Sequence, residues 1–208
     1  MKRLESSWFA LKVTVNNVLE EHENTLKKVN EYLDSGTDDI IRTGEVVDDE
    51  LYDEQIVHRR QIKVSDIKNI KGFLKGLEYD CALLHKIGRS LDDFEDKFKS
   101  GQEQDLKLEE LMRILETKKK ADNKKVVIFT AYSDTARFIY EQLESRGFSR
   151  MALVSGQEIR STGGHSTKVF SQVLRSFAPY SKLYNELDWS DLYEEHLDRA
   201  AYFNDEKQ

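Results

Sequence analysis

The sequence predicts a mainly α-helical chain with a small α/β part: a long antiparallel helical hairpin followed by a parallel β-α-β unit. Three observations predict this. Apolar residues recur at spacings of three and four over two long stretches, and a single proline, Pro179, interrupts neither of them. The segment from Lys125 to Gly156 passes from an apolar run to an amphipathic stretch, a glycine and a second apolar run.

The first helix is predicted from about Arg3 to Ser35. Leu4, Trp8, Leu11, Val15, Val18, His22, Leu26, Val29 and Leu33 form one stripe, and Gly36 supplies the stop. At ~1.5 Å per residue this helix would be about 50 Å long. A second helix is predicted to begin near Ser65, a candidate N-cap, with Ile67, Ile70, Leu74, Leu77, Cys81, Leu84, Ile87, Leu91, Phe94 and Phe98 as its stripe. Two helices apolar on one face each need one another, hence the hairpin; the near-heptad period would also allow a helix-mediated dimer. Between them, Ile40, Ile41, Val46, Val47, Leu51, Tyr52, Ile56 and Val57 suggest a further helix in an acidic setting. His22 and Cys81 both fall on the stripes, where a hydrogen-bonded core histidine and a buried thiol are the expected readings.

Lys99-Ser100-Gly101-Gln102 marks a helix end and a turn, and DLKLEELMRIL, Asp105 to Leu115, begins the next helix. Its lysine-rich exit, Lys118 to Lys125, suits either a helix C-terminus or a nucleic-acid contact. Val126, Val127, Ile128 and Phe129 then read as a buried strand. Asp134 is placed to cap a helix containing Phe138, Ile139 and Leu143, Gly147 ends that helix, and Met151 to Val154 is the next strand. Two strands joined by a helical crossover of this length should lie parallel, with their working loops at the strands' carboxyl ends. Those loops are Thr130-Ala131-Tyr132-Ser133 and Ser155-Gly156-Gln157. A helix near Val169 to Ala178 follows, and then an acidic, aromatic, helix-forming tail. The expected division is 1–104 helical region, 105–178 α/β domain and 179–208 acidic insertion or tail.

The words KVVIFTAYSDTARFIYEQLESRGF, with the entry helix before them, resemble the opening of the second RecA-like domain of superfamily-two helicases and Swi/Snf-type ATPases. RLESSWFALK, Arg3 to Lys12, is similar to a helix between the two motor domains in a bacterial branch of these proteins. The resemblance, strongest from about Asp105 to Phe177, implies a fragment of a nucleic-acid-dependent ATPase: the inter-domain helices plus a partial RecA-like domain. It implies nucleic-acid backbone contacts at Thr130, Ala131, Tyr132, Ser155, Gly156 and Gln157, with Arg160 and Lys168 as weaker candidates. Tyr132 can stack on a base or sugar, or pack on its neighbouring helix. The implied partners are nucleic acid, DNA before RNA, and a first RecA-like domain outside this sequence. ATP and magnesium would belong to the parent protein, with no cofactor in this chain.

The missing motifs agree with a fragment. No G-x-x-x-x-G-K-[ST] loop occurs, and Ser161 to Lys168 imitates one with its lysine out of place. Glu45 to Glu50 only superficially echoes an acidic magnesium-binding strand end. Without a phosphate loop or arginine finger the chain alone is expected to hydrolyse no ATP. The five histidines make no H-x-x-x-H pair and no G-x-S-x-G elbow is present, so catalytic and metal sites are not expected.

Net charge is −7, which does not suit a stand-alone nucleic-acid binder, yet Lys124 to Arg175 carries eight basic against four acidic residues. One cysteine excludes a disulfide framework, and no apolar run approaches the ~18 to 20 residues that span a bilayer. A cytoplasmic chain with no membrane partner is the expectation. The competing expectation is a non-enzymatic helical interaction module whose hairpin is the functional part.

Overall fold

The computed structural model describes residues 2–43, 60–156, 158–162 and 169–178. The chain is mainly helical with two small antiparallel sheets, and it divides into two compact units, Met1–Leu143 and Glu144–Gln208.

In the first unit the N-terminal helix is two helices, α1 (Lys2–Ser6) and α2 (Trp8–Ser35). The break replaces the single helix expected from Arg3. Ser7 adopts extended backbone angles, φ −158° and ψ 152°, and its hydroxyl accepts the Ala10 N–H at 3.0 Å. Serine is among the best residues for this role, because its oxygen satisfies an amide that the first helical turn leaves unpaired. At the other end Gly36, at φ 73°, donates its N–H to the Tyr32 carbonyl, the left-handed stop for which glycine is suited.

The chain then forms β1 (Ile40–Thr43), which pairs antiparallel with β2 (Arg60–Lys63) in the register Ile41 to Ile62. Ile40 and Ile41 are thus in a strand and not in the expected bridging helix; the other apolar residues of that expectation, Val46 to Val57, lie outside the described residues, as does the Glu45 to Glu50 run. A 3-10 turn over Val64–Asp66 leads into α3 (Ile70–Lys99). The cap of α3 is Asn69, whose side chain accepts the Gly72 N–H at 3.0 Å. Ser65, the expected cap, instead donates its amide and its hydroxyl to the Asp38 carboxylate at 3.0 and 2.8 Å, tying the two sides of the sheet's base together. These hydrogen bonds hold the Asp38 carboxyl below its ordinary value.

α2 and α3 pack antiparallel, as predicted. Trp8 meets Phe94 and Phe98 at one end, and Lys12 pairs with Asp92 and Glu95. His85 meets Glu23 midway, at 2.9 Å. At the other end Val29, Ile41 and Val64 form a fully buried cluster beneath Tyr32, Ile70, Phe73 and Leu74. The seam of α3 runs through Leu77, Cys81 and Gly88, so the stripe leaves Ile87 at the exposed margin. Burial lifts the Cys81 thiol above its usual value, with Glu23 and Asp80 adding to the shift, and His22 Nδ1 lies 2.8 Å from the Val18 carbonyl.

After Gly101, at φ 76°, Asp105 caps α4 (Leu106–Lys119) by accepting the amides of Lys107 and Leu108 at 3.0 and 3.1 Å. Residues 120–132 contain no strand, and α5 (Ser133–Ser145) follows. In the second unit β3 (Ala152–Val154) pairs antiparallel with β4 (Ile159–Ser161), and α6 (Phe170–Phe177) closes the described part.

The expected parallel β-α-β pairing is therefore corrected: Val126 to Phe129 forms no strand, and β3 takes β4 as its one partner among the described residues. The physical reason lies in closure. A hairpin is closed by its own turn, here by Ser155 N–H to the Glu158 carbonyl at 2.8 Å, whereas short parallel strands need neighbouring strands and helices on both faces. No helix among the described residues is long and apolar enough to cross a membrane.

Candidate functional site

The best-defined polar constellation lies where α1 meets the start of α5. The break at Ser7 lets α1 turn away from the axis of α2, which brings Arg3, Ser6 and Ser7 against Tyr132, Asp134 and Thr135. Arg3 Nη1 lies 3.2 Å from Asp134 Oδ2, and both side chains are nearly covered, 11% and 12% exposed. The same guanidinium sits 4.6 Å from the centre of the Tyr132 ring. The hydroxyls of Ser6 and Ser7 lie 2.8 and 3.0 Å from that of Thr135. A buried carboxylate needs a matching charge, and a planar guanidinium can pair with it while lying over an aromatic ring. Arg137 adds a longer contact to Asp134, at 3.5 Å. Asp134 is thus an ion-pair partner in the first turn, where negative charge is favourable, and not the helix cap that the sequence suggested.

Behind this polar layer is an aromatic one. Phe138 of α5 lies 5.4 Å from the Trp8 ring, edge-on, and 5.4 Å from Phe9, stacked at 14°. Trp8 also meets Phe94 and Phe98 of α3 at 5.3 and 5.6 Å. Phe9, which lies off the predicted stripe, is recruited because α5 supplies a second packing surface. The Trp8 indole N–H is buried among these rings with no hydrogen-bond partner among the described residues. On the far side of α1, Lys107 of α4 donates to the Glu5 carbonyl. α1 therefore touches both helices that flank residues 120–132.

Within that flanked segment, Thr130 donates its hydroxyl to the Tyr132 carbonyl at 2.8 Å, and the same carbonyl accepts the Ala136 N–H at 3.1 Å. Thr130 therefore shapes the turn into α5, and the Ala131 amide is among the backbone donors that no described residue takes. The second predicted loop behaves alike. Ser155 accepts the Glu158 N–H at 3.1 Å and donates to the Glu158 carbonyl at 3.4 Å, while the Gly156 amide has no partner among the described residues. Gln157 and Lys168 lie outside the described residues, and Arg160 pairs with Glu158. The two loops belong to different units, so each is described alone.

In front of α5, Val126, Val127, Ile128 and Phe129 are exposed, Phe129 to 90%, and no hydrogen bond joins them to another described residue. No group of three or more metal-ligating side chains occurs among the described residues. No family model matches the sequence, and no curated protein or solved structure matches it either.

Sequence reasoning missed the pairing of Arg3 with Tyr132 and Asp134. Both sides carry recognisable residues, but nothing in the chain between them signals that they meet. The doubled serine before Trp8 was the available clue, since a hydroxyl residue ahead of an apolar period marks a helix start.

Proposed function

We propose that this chain is part of a Swi/Snf-like, nucleic-acid-dependent ATPase, supplying inter-domain helices and backbone contacts while the ATP-hydrolysing groups lie in other parts of the parent protein. The observation that carries the proposal is the junction just described. RLESSW and TAYSDTA are the two phrases behind the resemblance, and their side chains meet across sequence separations of 128 to 131 residues. The order of elements also supports it: an entry helix, an apolar run, a helix and a strand follow one another as in the start of a RecA-like domain. On this reading Val126 to Phe129 becomes a strand only beside the remaining strands of the parent's sheet.

Backbone amides rather than hydroxyls are the groups left to meet phosphate: those of Ala131 and Gly156, with Tyr132 beside the first. Contacts of this kind position a strand without reading its sequence. Titration of a fluorescein-labelled duplex should therefore give sequence-independent binding. Each phosphate that a lysine or arginine beside these loops neutralises would weaken it about 3.5-fold between 50 and 200 mM salt. Binding that ignores salt, or no binding at low salt, would contradict the proposal. A phosphate-release assay on the isolated chain should show no nucleic-acid-stimulated turnover.

A second reading, a helical protein-interaction module, is favoured by one observation, the exposed apolar run at Val126 to Phe129. A stable complex with another protein through the hairpin, without duplex binding, would select it.

A further inference from the structure

We infer that α1 is a clamp on the start of α5, and that Arg3 is the positioning residue that holds the Thr130–Tyr132 loop in place; the loop's use for phosphate rests on the proposed function. The geometry carries this inference. Arg3 touches both Tyr132 and Asp134, the last residue of the loop and the second residue of the helix. Ser6 and Ser7 fix the next residue, Thr135. Ser7 simultaneously caps α2, so the position of the clamp is set by the start of the long helix. That helix is itself held in the hairpin by Trp8 and Lys12.

Loops have few fixed contacts of their own, and a donor group helps to bind an anion only if it is already oriented. The Tyr132 carbonyl takes both the Thr130 hydroxyl and the Ala136 amide, so the turn from Thr130 to Tyr132, with the Ala131 amide between its ends, is tied to the residue whose ring Arg3 covers. A lysine at position 3 could keep the charge opposite Asp134. It could not reproduce the planar group lying over the ring.

The test combines amide hydrogen exchange with duplex titration on the full chain. In Arg3→Ala, the hydrogen-bonded amides that open α5, from Ala136 to Tyr140, should exchange about tenfold faster or more, while those around Leu77 and Cys81 in the hairpin keep their rates. Duplex affinity should fall several-fold, and Arg3→Lys should lie between Arg3→Ala and wild type in both measurements. Unchanged exchange at 136–140 in Arg3→Ala would overturn the clamp. Faster exchange with unchanged affinity would overturn the positioning role. Absence of duplex binding by the wild-type chain would count against the proposed function, leaving exchange alone to decide the clamp. If Arg3→Ala loses the helical signal of the hairpin, the comparison is made with Arg3→Lys and Tyr132→Leu, which remove the stacking and keep a charge opposite Asp134.

Discussion

Two neighbouring stretches of this chain, residues 126–129 and 134–140, are both rich in apolar residues and differ sharply in burial. The first is four apolar residues with every side chain exposed and no strand formed. The second is a helix whose Asp134, Thr135, Phe138 and Tyr140 are all buried. The difference comes from where each element finds its hydrogen bonds. A helix satisfies its backbone internally and needs only a face to pack against, which Trp8 and Phe9 provide. A central strand needs neighbours for its backbone as well as its side chains.

The comparison can be broken most directly at its two aromatic residues. Trp8→Ala should cost about 3 to 5 kcal/mol in urea unfolding, because it empties the point where α2, α3 and α5 meet. Phe129→Ala should fall within about 0.5 kcal/mol of wild type, since the ring has little contact to lose. Equal losses at the two sites would show that the run is packed after all. Trp8→Phe should cost far less than Trp8→Ala, because it keeps an aromatic ring and removes the buried, unpaired indole N–H.

Next in size is the clamp. Arg3→Ala should destabilise the junction of α1 with α5 by at least about 1.4 kcal/mol, most of it the cost of leaving the Asp134 carboxylate under-compensated, and the added change Asp134→Asn should recover part of the loss. Full additivity of the two changes in urea unfolding would mean that the pair does not interact.

A smaller effect is expected from pH. The hydrogen bonds from Lys12 and then Lys99 hold the Glu95 carboxyl below its ordinary value of 4.5. A carboxyl lowered in the folded state stabilises the fold above its unfolded value, and that contribution is lost as pH falls through the folded value. For Lys12, partial burial pulls its ammonium down, but the hydrogen bonds and charges of Asp92 and Glu95 outweigh it and leave the group raised. Its contribution is present below 10.5 and is lost as pH rises through the folded value. Glu95→Gln should therefore flatten the acid limb of stability below about pH 5, as followed by thermal melts across pH. An unchanged acid limb would remove the pair from the account.

A small gain is expected at Gly88, helical, buried, and with nothing within 4 Å of an added Cβ. Gly88→Ala should stabilise by about 0.5 to 1 kcal/mol through lower unfolded-chain entropy, measured as a higher urea midpoint.

These cases explain which parts of the fold were legible. The hairpin was, because a 3.6-residue period records the buried face of each helix, and so were Gly36, Gly101 and Asp105, whose end roles are local. The break at Ser7 was harder to see, since the stripe runs on through Trp8 and only the hydroxyl marks the new start. Ser65 looked able to begin α3, but Asp38, 27 residues away, engages it, and Asn69 caps the helix instead. Ile40 and Ile41 gave an apolar pair compatible with helix or strand, decided by pairing with Lys63 and Ile62, which sequence period cannot register. At the candidate site Thr130 and Ser155 were legible as turn residues, while the arginine that grips the first loop lies at the opposite end of the described part of the unit.

The most direct measurement is residue-resolved NMR of the wild-type chain from Lys124 to Ser161. The account predicts coil-like backbone shifts at Val126 to Phe129, helical shifts from Ser133, and cross-strand contacts joining Leu153 to Arg160. Strand shifts at Val126 to Phe129 with contacts to Ala152–Val154 would contradict it and restore the parallel pair.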